Sequence, residues 1–267
     1  MGDEIRRKAW LSWQVEFSGD AKLRQDDWNV AAETAIEIDV NGVPLTVMMA
    51  TPTALEDLAI GLAFTEGVVL DPSAIETVTV DEFVDRIVVN LQIPPAAVNE
   101  QARRSRLLEG RAGCGLCGVD TLAAAMRRPV IQKNSLGAGT ITDSSLQHAF
   151  AELPAHQPLN QLTHSVHAAA WCTIAGEIVT VREDVGRHNA LDKLAGWLLT
   201  CGDTQTAGFV VVTSRLSFEL VCKAAAMGAS LLAAVSAPTS LALELAATAE
   251  LPLACLGPGG AIVRFPA

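Results

Sequence analysis

The sequence predicts an α/β protein with a smaller α+β part at its amino-terminal end. Three observations carry that expectation. From about residue 166 strand-like and helix-like segments alternate, apolar and polar residues alternate around Asn41-Gly42 as in a hairpin, and between these regions prolines and arginines accumulate. We place the boundary so that residues 1–105 form the amino-terminal part and 106–267 the α/β domain.

In the amino-terminal part, Thr34 to Met48 alternates on both sides of Asn41-Gly42, the signature of a two-residue type I′ turn. After Thr51-Pro52, Thr53 stands three residues before Glu56 as in a capping box. Leu55, Leu58, Ala59 and Leu62 follow at helical spacing, which predicts a helix running to about Gly67. Residues 77–80 and 86–93 read as two further strands. Residues 94–111 then carry Arg103, Arg104, Arg106 and Arg111, read first as a solvated helix face.

In the second part, residues 167–174 and 177–182 read as a strand pair, and Asn189 as the cap of a helix through Leu199. The run GFVVVTS at 208–214 is a buried strand, followed by a helix over 217–227 and a strand over 230–235. Ser236 reads as the cap of a last helix over 241–249. That order implies a largely parallel sheet covered on both faces.

With 19 basic against 30 acidic side chains the formal charge is −11, which disfavours nucleic acid and anionic membrane surfaces as partners. No apolar run in the first twenty residues is long enough for a signal peptide or membrane span, so the expected location is the cytoplasm. Reduced thiols follow for the six cysteines. Cys172, Cys201, Cys222 and Cys255 stand alone in apolar surroundings and read as small buried hydrophobes.

Chemistry is suggested at three places. Arg111-Ala112-Gly113-Cys114-Gly115-Leu116-Cys117-Gly118 places two thiols among glycines before a predicted helix, where the helix dipole and Arg111 favour thiolate. Such a C-x-x-C divides among zinc binding, dithiol redox chemistry and sulfur or structural roles. His164 and His167 are the matching pair for a Cys₂His₂ zinc site. The second place, Arg182-Glu183-Asp184-Val185-Gly186-Arg187-His188-Asn189-Ala190-Leu191-Asp192-Lys193, crowds charges at a strand-to-helix junction, as a ligand site or an ion-pair network. The third is formed by Thr213-Ser214-Arg215 and Ser236-Ala237-Pro238-Thr239-Ser240, two turns at strand ends whose hydroxyls and one guanidinium suit an anionic ligand.

Taken in order, NGVPLTVMMATP, LEDLAIGLAFTEG, GCGLCG, VHAAAW, REDVGRHNALDKL, TSRLSFELVCKAA and SAPTSLALELA resemble the formate dehydrogenase accessory sulfurtransferase family, FdhD/NarQ, over residues 33–256. The resemblance implies a cytidine-deaminase-like three-layer sandwich, a homodimer, and a sulfurtransferase that takes persulfide sulfur from a cysteine desulfurase. It further implies delivery of that sulfur to the molybdenum of the bis-molybdopterin guanine dinucleotide cofactor of formate dehydrogenase. By position Cys114 is the implied persulfide carrier and Cys117 its partner. The implied cofactor-binding set is Leu256, Gly257, Pro258, Gly259, Gly260 and Ala261, with Ser214, Arg215, Ser236, Thr239, His167, Arg187 and His188. Two departures from the family pattern stand out: Thr163-His164-Ser165-Val166-His167 replaces T-G-G-x-H, and the arginine of an aromatic-x-Arg-Gly segment is missing at 256–261. Deamination is disfavoured, since no histidine has a glutamate two residues later. The alternative to sulfur transfer is a chaperone of cofactor or dehydrogenase with a structural Cys/His zinc site.

Overall fold

The computed structural model describes residues 8–19, 22–103, 141–201 and 207–265. Asn41 and Gly42 both take positive φ, 55° and 72°, the backbone a tight hairpin requires, and β3 (Thr34–Val40) turns through them into β4 (Val43–Ala50). With β5 (Thr77–Glu82) and β6 (Ile87–Gln92) these strands form a sheet in the order β4-β3-β6-β5, in which β3 and β6 run parallel. Ile36, Ile38, Val40, Ile87, Val89 and Leu91 alternate onto one face and bury themselves against Leu55, Leu58, Ala59 and Leu62 of α1 (Leu55–Thr65). Ahead of this sheet, β1 (Trp10–Gly19) and β2 (Lys22–Ala31) pair as a separate two-stranded ribbon.

The capping box expected at Thr53 does not form. Ala54 is the N-cap, in the left-handed region at φ 49°, and no side chain caps the helix. The Thr53 hydroxyl instead lies 3.5 Å from Lys193 Nζ, drawn away by a buried ammonium that no local pattern reveals.

The second sheet has six strands in the order β12-β11-β10-β9-β7-β8: β7 (His167–Thr173), β8 (Ile178–Asp184), β9 (Gly208–Val212), β10 (Leu232–Ala234), β11 (Leu253–Leu256) and β12 (Ile262–Phe265). It is mixed rather than largely parallel. Only the β9–β10 and β10–β11 pairs are parallel, joined by helices, whereas the short turns at 174–177 and 257–261 return their chains antiparallel.

Among the described residues this sheet is covered by α2 (Asp143–Glu152) on one face and α4 (Arg187–Thr200), α5 (Phe218–Ala226) and α6 (Ser240–Thr248) on the other; α3 (Pro158–Thr163) precedes β7. Ala169, Trp171, Val210 and Val212 face Leu191, Leu194, Leu220 and Val221, whereas Ala170, Cys172, Phe209 and Val211 face Leu146 and Phe150. The chain is thus a mixed α/β protein with helices on both sides of its larger sheet. Two predicted caps move. Gly186, not Asn189, precedes α4, and Asn189 donates instead to Met49 O and Asp184 Oδ1 at 3.0 and 2.9 Å. Thr239, not Ser236, caps α6, accepting from Ala242 N at 3.3 Å.

The two sheets meet through α1 and α4. A Cβ on Gly61 would lie 1.8 Å from Asp192 O and one on Gly196 1.9 Å from Asp57 O, so the two helix backbones touch. Around that contact lies a buried ionic lattice. Lys193 and Asp184, both with 0% side-chain exposure, pair at 2.6 Å. Asp184 also accepts from Thr51 N, Gly186 N and Asn189 Nδ2, and Lys193 donates to Thr51 O. One turn along, Lys223 bridges Asp192 and Glu66 at 2.8 and 2.9 Å, and Arg182 pairs with Asp57 at 2.9 Å. Burial pushes the Lys193 ammonium down and the Asp192 carboxyl up; Asp184 and Lys223, respectively, oppose those shifts.

Candidate functional site at the strand ends

The carboxyl ends of β9, β10 and β11, the start of β7 and the start of α4 share one edge of the larger sheet. That edge gathers the residues that the resemblance implied for cofactor binding. The turns after β9 and β10 are stitched together: Leu216 N donates to Ala237 O at 3.3 Å and Thr239 N to Leu216 O at 3.0 Å. Thr213 Oγ1 accepts from Ala168 N at 2.9 Å, which ties the start of β7 to the end of β9.

Arg215 is exposed and makes no ion pair among the described residues. The neighbouring Ser214 hydroxyl is turned back onto Arg215 O at 3.0 Å. Ser236 is half-buried, and Thr239 is occupied as a helix cap. The open helix start is therefore that of α5, whose N-cap Ser217 makes no side-chain cap; its hydroxyl donates instead to Glu219 Oε2 at 2.9 Å.

At the start of α4, His188 Nε2 lies 3.3 Å from Glu219 Oε2. Burial raises the Glu219 carboxyl, but hydrogen bonds from His188 and Ser217 and the charges of His188 and Arg187 outweigh it, so the net shift is downward. His167, half-buried at the head of β7, is shifted down by burial first, then by Arg187 and His188, against the pull of Asp184. These influences put His167, Arg187, His188 and Glu219 in one cluster. The shift fixes a sign. The native value of His167 lies below an unfolded value near 6.5, so the unfolded chain takes up the proton first and stability falls as pH drops through about 6.5. Urea midpoints measured between pH 7.5 and pH 5.5 are expected to fall more in the wild type than in His167→Gln. Parallel curves would remove His167 from that balance.

The segment 256–261 follows β11 on the same edge. Leu256 packs against the core beside α2, while Gly259 and Gly260, at φ 67° and 80°, form an open turn closed by Gly257 N donating to Ala261 O at 2.7 Å. His164, the other half of the predicted zinc pair, is exposed at φ 53° with its ring 6.1 Å from that of Trp28. Cys114, Cys117 and Arg111 lie outside the described residues. Among the described cysteines, burial pushes the Cys172 thiol up to about 12 and Cys222 to about 11, and raises Cys255; Cys201 alone is exposed.

Most of the charged groups in the strand-to-helix motif prove to be scaffold. Glu183 accepts from Leu159 N and Asn160 N at 2.9 and 2.8 Å and holds α3, while Arg182, Asp184, Asp192 and Lys193 belong to the lattice between the sheets. Arg187 and His188 alone turn to the strand ends with Glu219. The sequence reading placed Ser217 at the helix start but missed Glu219, since a serine followed by a glutamate is the ordinary composition of a helix start. The available signal was its place just after Arg215 and Ser217, in a turn already assigned to ligand binding.

Fold and edge together define a mixed α/β protein with a polar, cation-bearing site at the carboxyl ends of its parallel strands, the arrangement that suits anionic ligands. The FdhD/NarQ family pattern matches residues 31–263. Sulfur carrier proteins FdhD are similar to the chain: that of Xanthomonas campestris pv. campestris (strain B100) is 46% identical over 224 residues, 84% of this chain and 79% of the relative. That of Cupriavidus necator is 44% identical over 247 residues, 84% of its length and 92% of this chain. The chain belongs to the FdhD/NarQ family. Its fold is shared with a protein from Desulfotalea psychrophila assigned as a formate dehydrogenase accessory protein, at 22% identity and a TM-score of 0.72, over 97% of this chain and 98% of that one.

Proposed function

We propose that this chain is a sulfur carrier for formate dehydrogenase. Cys114 accepts the terminal sulfur of a cysteine desulfurase persulfide, and Cys117 assists its release or receives it in turn. The acceptor is the molybdenum of the bis-molybdopterin guanine dinucleotide, bound as substrate before its insertion into the dehydrogenase. In the transfer the S–S bond of the Cys114 persulfide breaks, its outer sulfur leaves for the acceptor at the sulfide level, and the two electrons come from the Cys117 thiolate, which closes a disulfide onto Cys114. The names of the relatives support the carrier role. The observation that carries the cofactor reading is the strand-end edge, where an acidic chain assembles Arg215, Arg187, His167 and His188 beside the uncapped start of α5. Guanosine diphosphate arms fit that edge through their phosphates. Three of the described cysteines hold their thiols protonated, which supports assigning the carrier to the C-x-x-C pair.

The finer fold assignment, a cytidine-deaminase-like three-layer sandwich formed by 106–267, belongs to the same proposal and is supported by the helices on both faces of the larger sheet. So do a homodimer and a cytoplasmic location. Among the described residues no helix is long and apolar enough to cross a membrane.

Incubation with a cysteine desulfurase and cysteine should add sulfur mass to the wild type and none to Cys114→Ala. In parallel, Arg215→Ala should weaken guanosine diphosphate binding roughly ten- to a hundredfold while loading of Cys114 is spared. A wild type that gains no mass is a chaperone rather than a carrier. Equal nucleotide affinity in the two proteins would move the cofactor away from the strand ends.

A further inference from the structure

The polar contacts around Glu219 do not form the arrangement that stability alone would select. Its Oε2 takes both hydrogen bonds, from Ser217 Oγ at 2.9 Å and from His188 Nε2 at 3.3 Å, while Oε1 is buried with no hydrogen-bond partner among the described residues. A carboxylate serving only as an ion pair or helix cap would satisfy both oxygens, because a buried unpaired acceptor is costly. Ser217, the residue type best suited to cap α5, gives its hydroxyl to this carboxylate and leaves the helix uncapped.

The chemistry of the pair then settles the tautomer. The Glu219 carboxyl is shifted toward its ionised, acceptor-only form, so the ring nitrogen facing it must carry hydrogen. Among the described residues Nδ1 of His188 has no hydrogen-bond partner of its own. The other charged groups in the cluster are Arg187 on the same helix, His167 of β7 and Asp184 of β8; Arg215 stands exposed on the turn after β9. Of these, Glu219 is the one carboxylate that touches the His188 ring.

We propose that Glu219 is a positioning residue, which holds His188 by Nε2 so that Nδ1 donates to a phosphate bound at the strand ends. The proposal rests on the cofactor reading above. In the complex both ring nitrogens donate, one to the carboxylate and one to the anion, and the proton on Nδ1 comes from solvent. Ser217 acts one step further back, by fixing the carboxylate.

Guanosine diphosphate is titrated against the full chain as wild type, His188→Ala, Glu219→Gln and the double variant, with urea midpoints confirming that each is folded. Each single variant should lose roughly tenfold in affinity, and the double variant no more than either, because the two side chains act as one unit. Nitrogen-15 spectra of the complex should show both His188 ring nitrogens protonated in the wild type and one in Glu219→Gln. Should Glu219→Gln fail to fold, Ser217→Ala serves in its place, and a smaller loss of affinity is expected. Wild-type affinity in Glu219→Gln or in the substituting Ser217→Ala, losses that multiply in the double variant, or an unchanged His188 spectrum each overturn the positioning role. A wild type that does not bind the nucleotide overturns the cofactor reading itself, and the His188 spectrum of the free protein still reports whether Glu219 holds Nε2.

Discussion

Gly196→Ala is expected to destabilise the protein by about 3 kcal/mol or more, toward the upper end of what overpacking costs. The added methyl would sit 1.9 Å from Asp57 O, a backbone atom of α1, and only separation of the two helices relieves that contact. Separation in turn loosens the core between the sheets and pulls apart the Lys223–Glu66 and Arg182–Asp57 pairs. Against a total stability of about 5–15 kcal/mol, the variant should unfold at much lower urea or collect in the insoluble fraction. The reciprocal Gly61→Ala meets Asp192 O and should behave alike. Urea midpoints within error of the wild type for both variants would mean that α1 and α4 can part without loss.

Asp184→Ala is expected to cost about 3–5 kcal/mol, the range found when one member of a buried ion pair is removed. The carboxylate takes hydrogen bonds from Thr51 N, Gly186 N and Asn189 Nδ2 besides its 2.6 Å pairing with Lys193. Its loss leaves the Lys193 ammonium, which has no exposure to water, without its counter-ion, and takes the acceptor from Thr51 N and Gly186 N. Because Gly186 immediately precedes Arg187 and His188, nucleotide affinity should fall together with stability. The comparison is with Asp184→Ala carrying Lys193→Met as well. If the single variant is no less stable in urea than this double one, the pair is not what holds the junction.

Much of the architecture was legible because certain short segments allow few backbones. Asn41-Gly42 dictated the hairpin, and the continuous β-branched run of β9 marked a strand buried on both faces. The caps were less legible. Thr53, Asn189 and Ser236 are all capping types standing within a few residues of the true cap, and Thr53 and Asn189 were claimed by partners more than a hundred positions away. Gly61 and Gly196 read locally as weak helix positions, and only the packed structure shows that a side chain there has no room. At the candidate site, charge and a place at an element end are what single out Arg215, Arg187, His167 and His188 in the sequence. The share of the charged motif devoted to joining the sheets could not, since its partners are Thr51, Asp57, Glu66 and Lys223.

The backbone bridge between Leu216 and Pro238 has a thermodynamic consequence. Two turns that would otherwise sample many conformations are ordered by hydrogen bonds to each other before any ligand arrives. The entropy of arranging Arg215, the start of α5 and the start of α6 is thus lost on folding rather than on binding. Association at this edge should then be close to rigid docking, with affinity differences among ligands expressed mainly in how long they stay rather than in how fast they arrive.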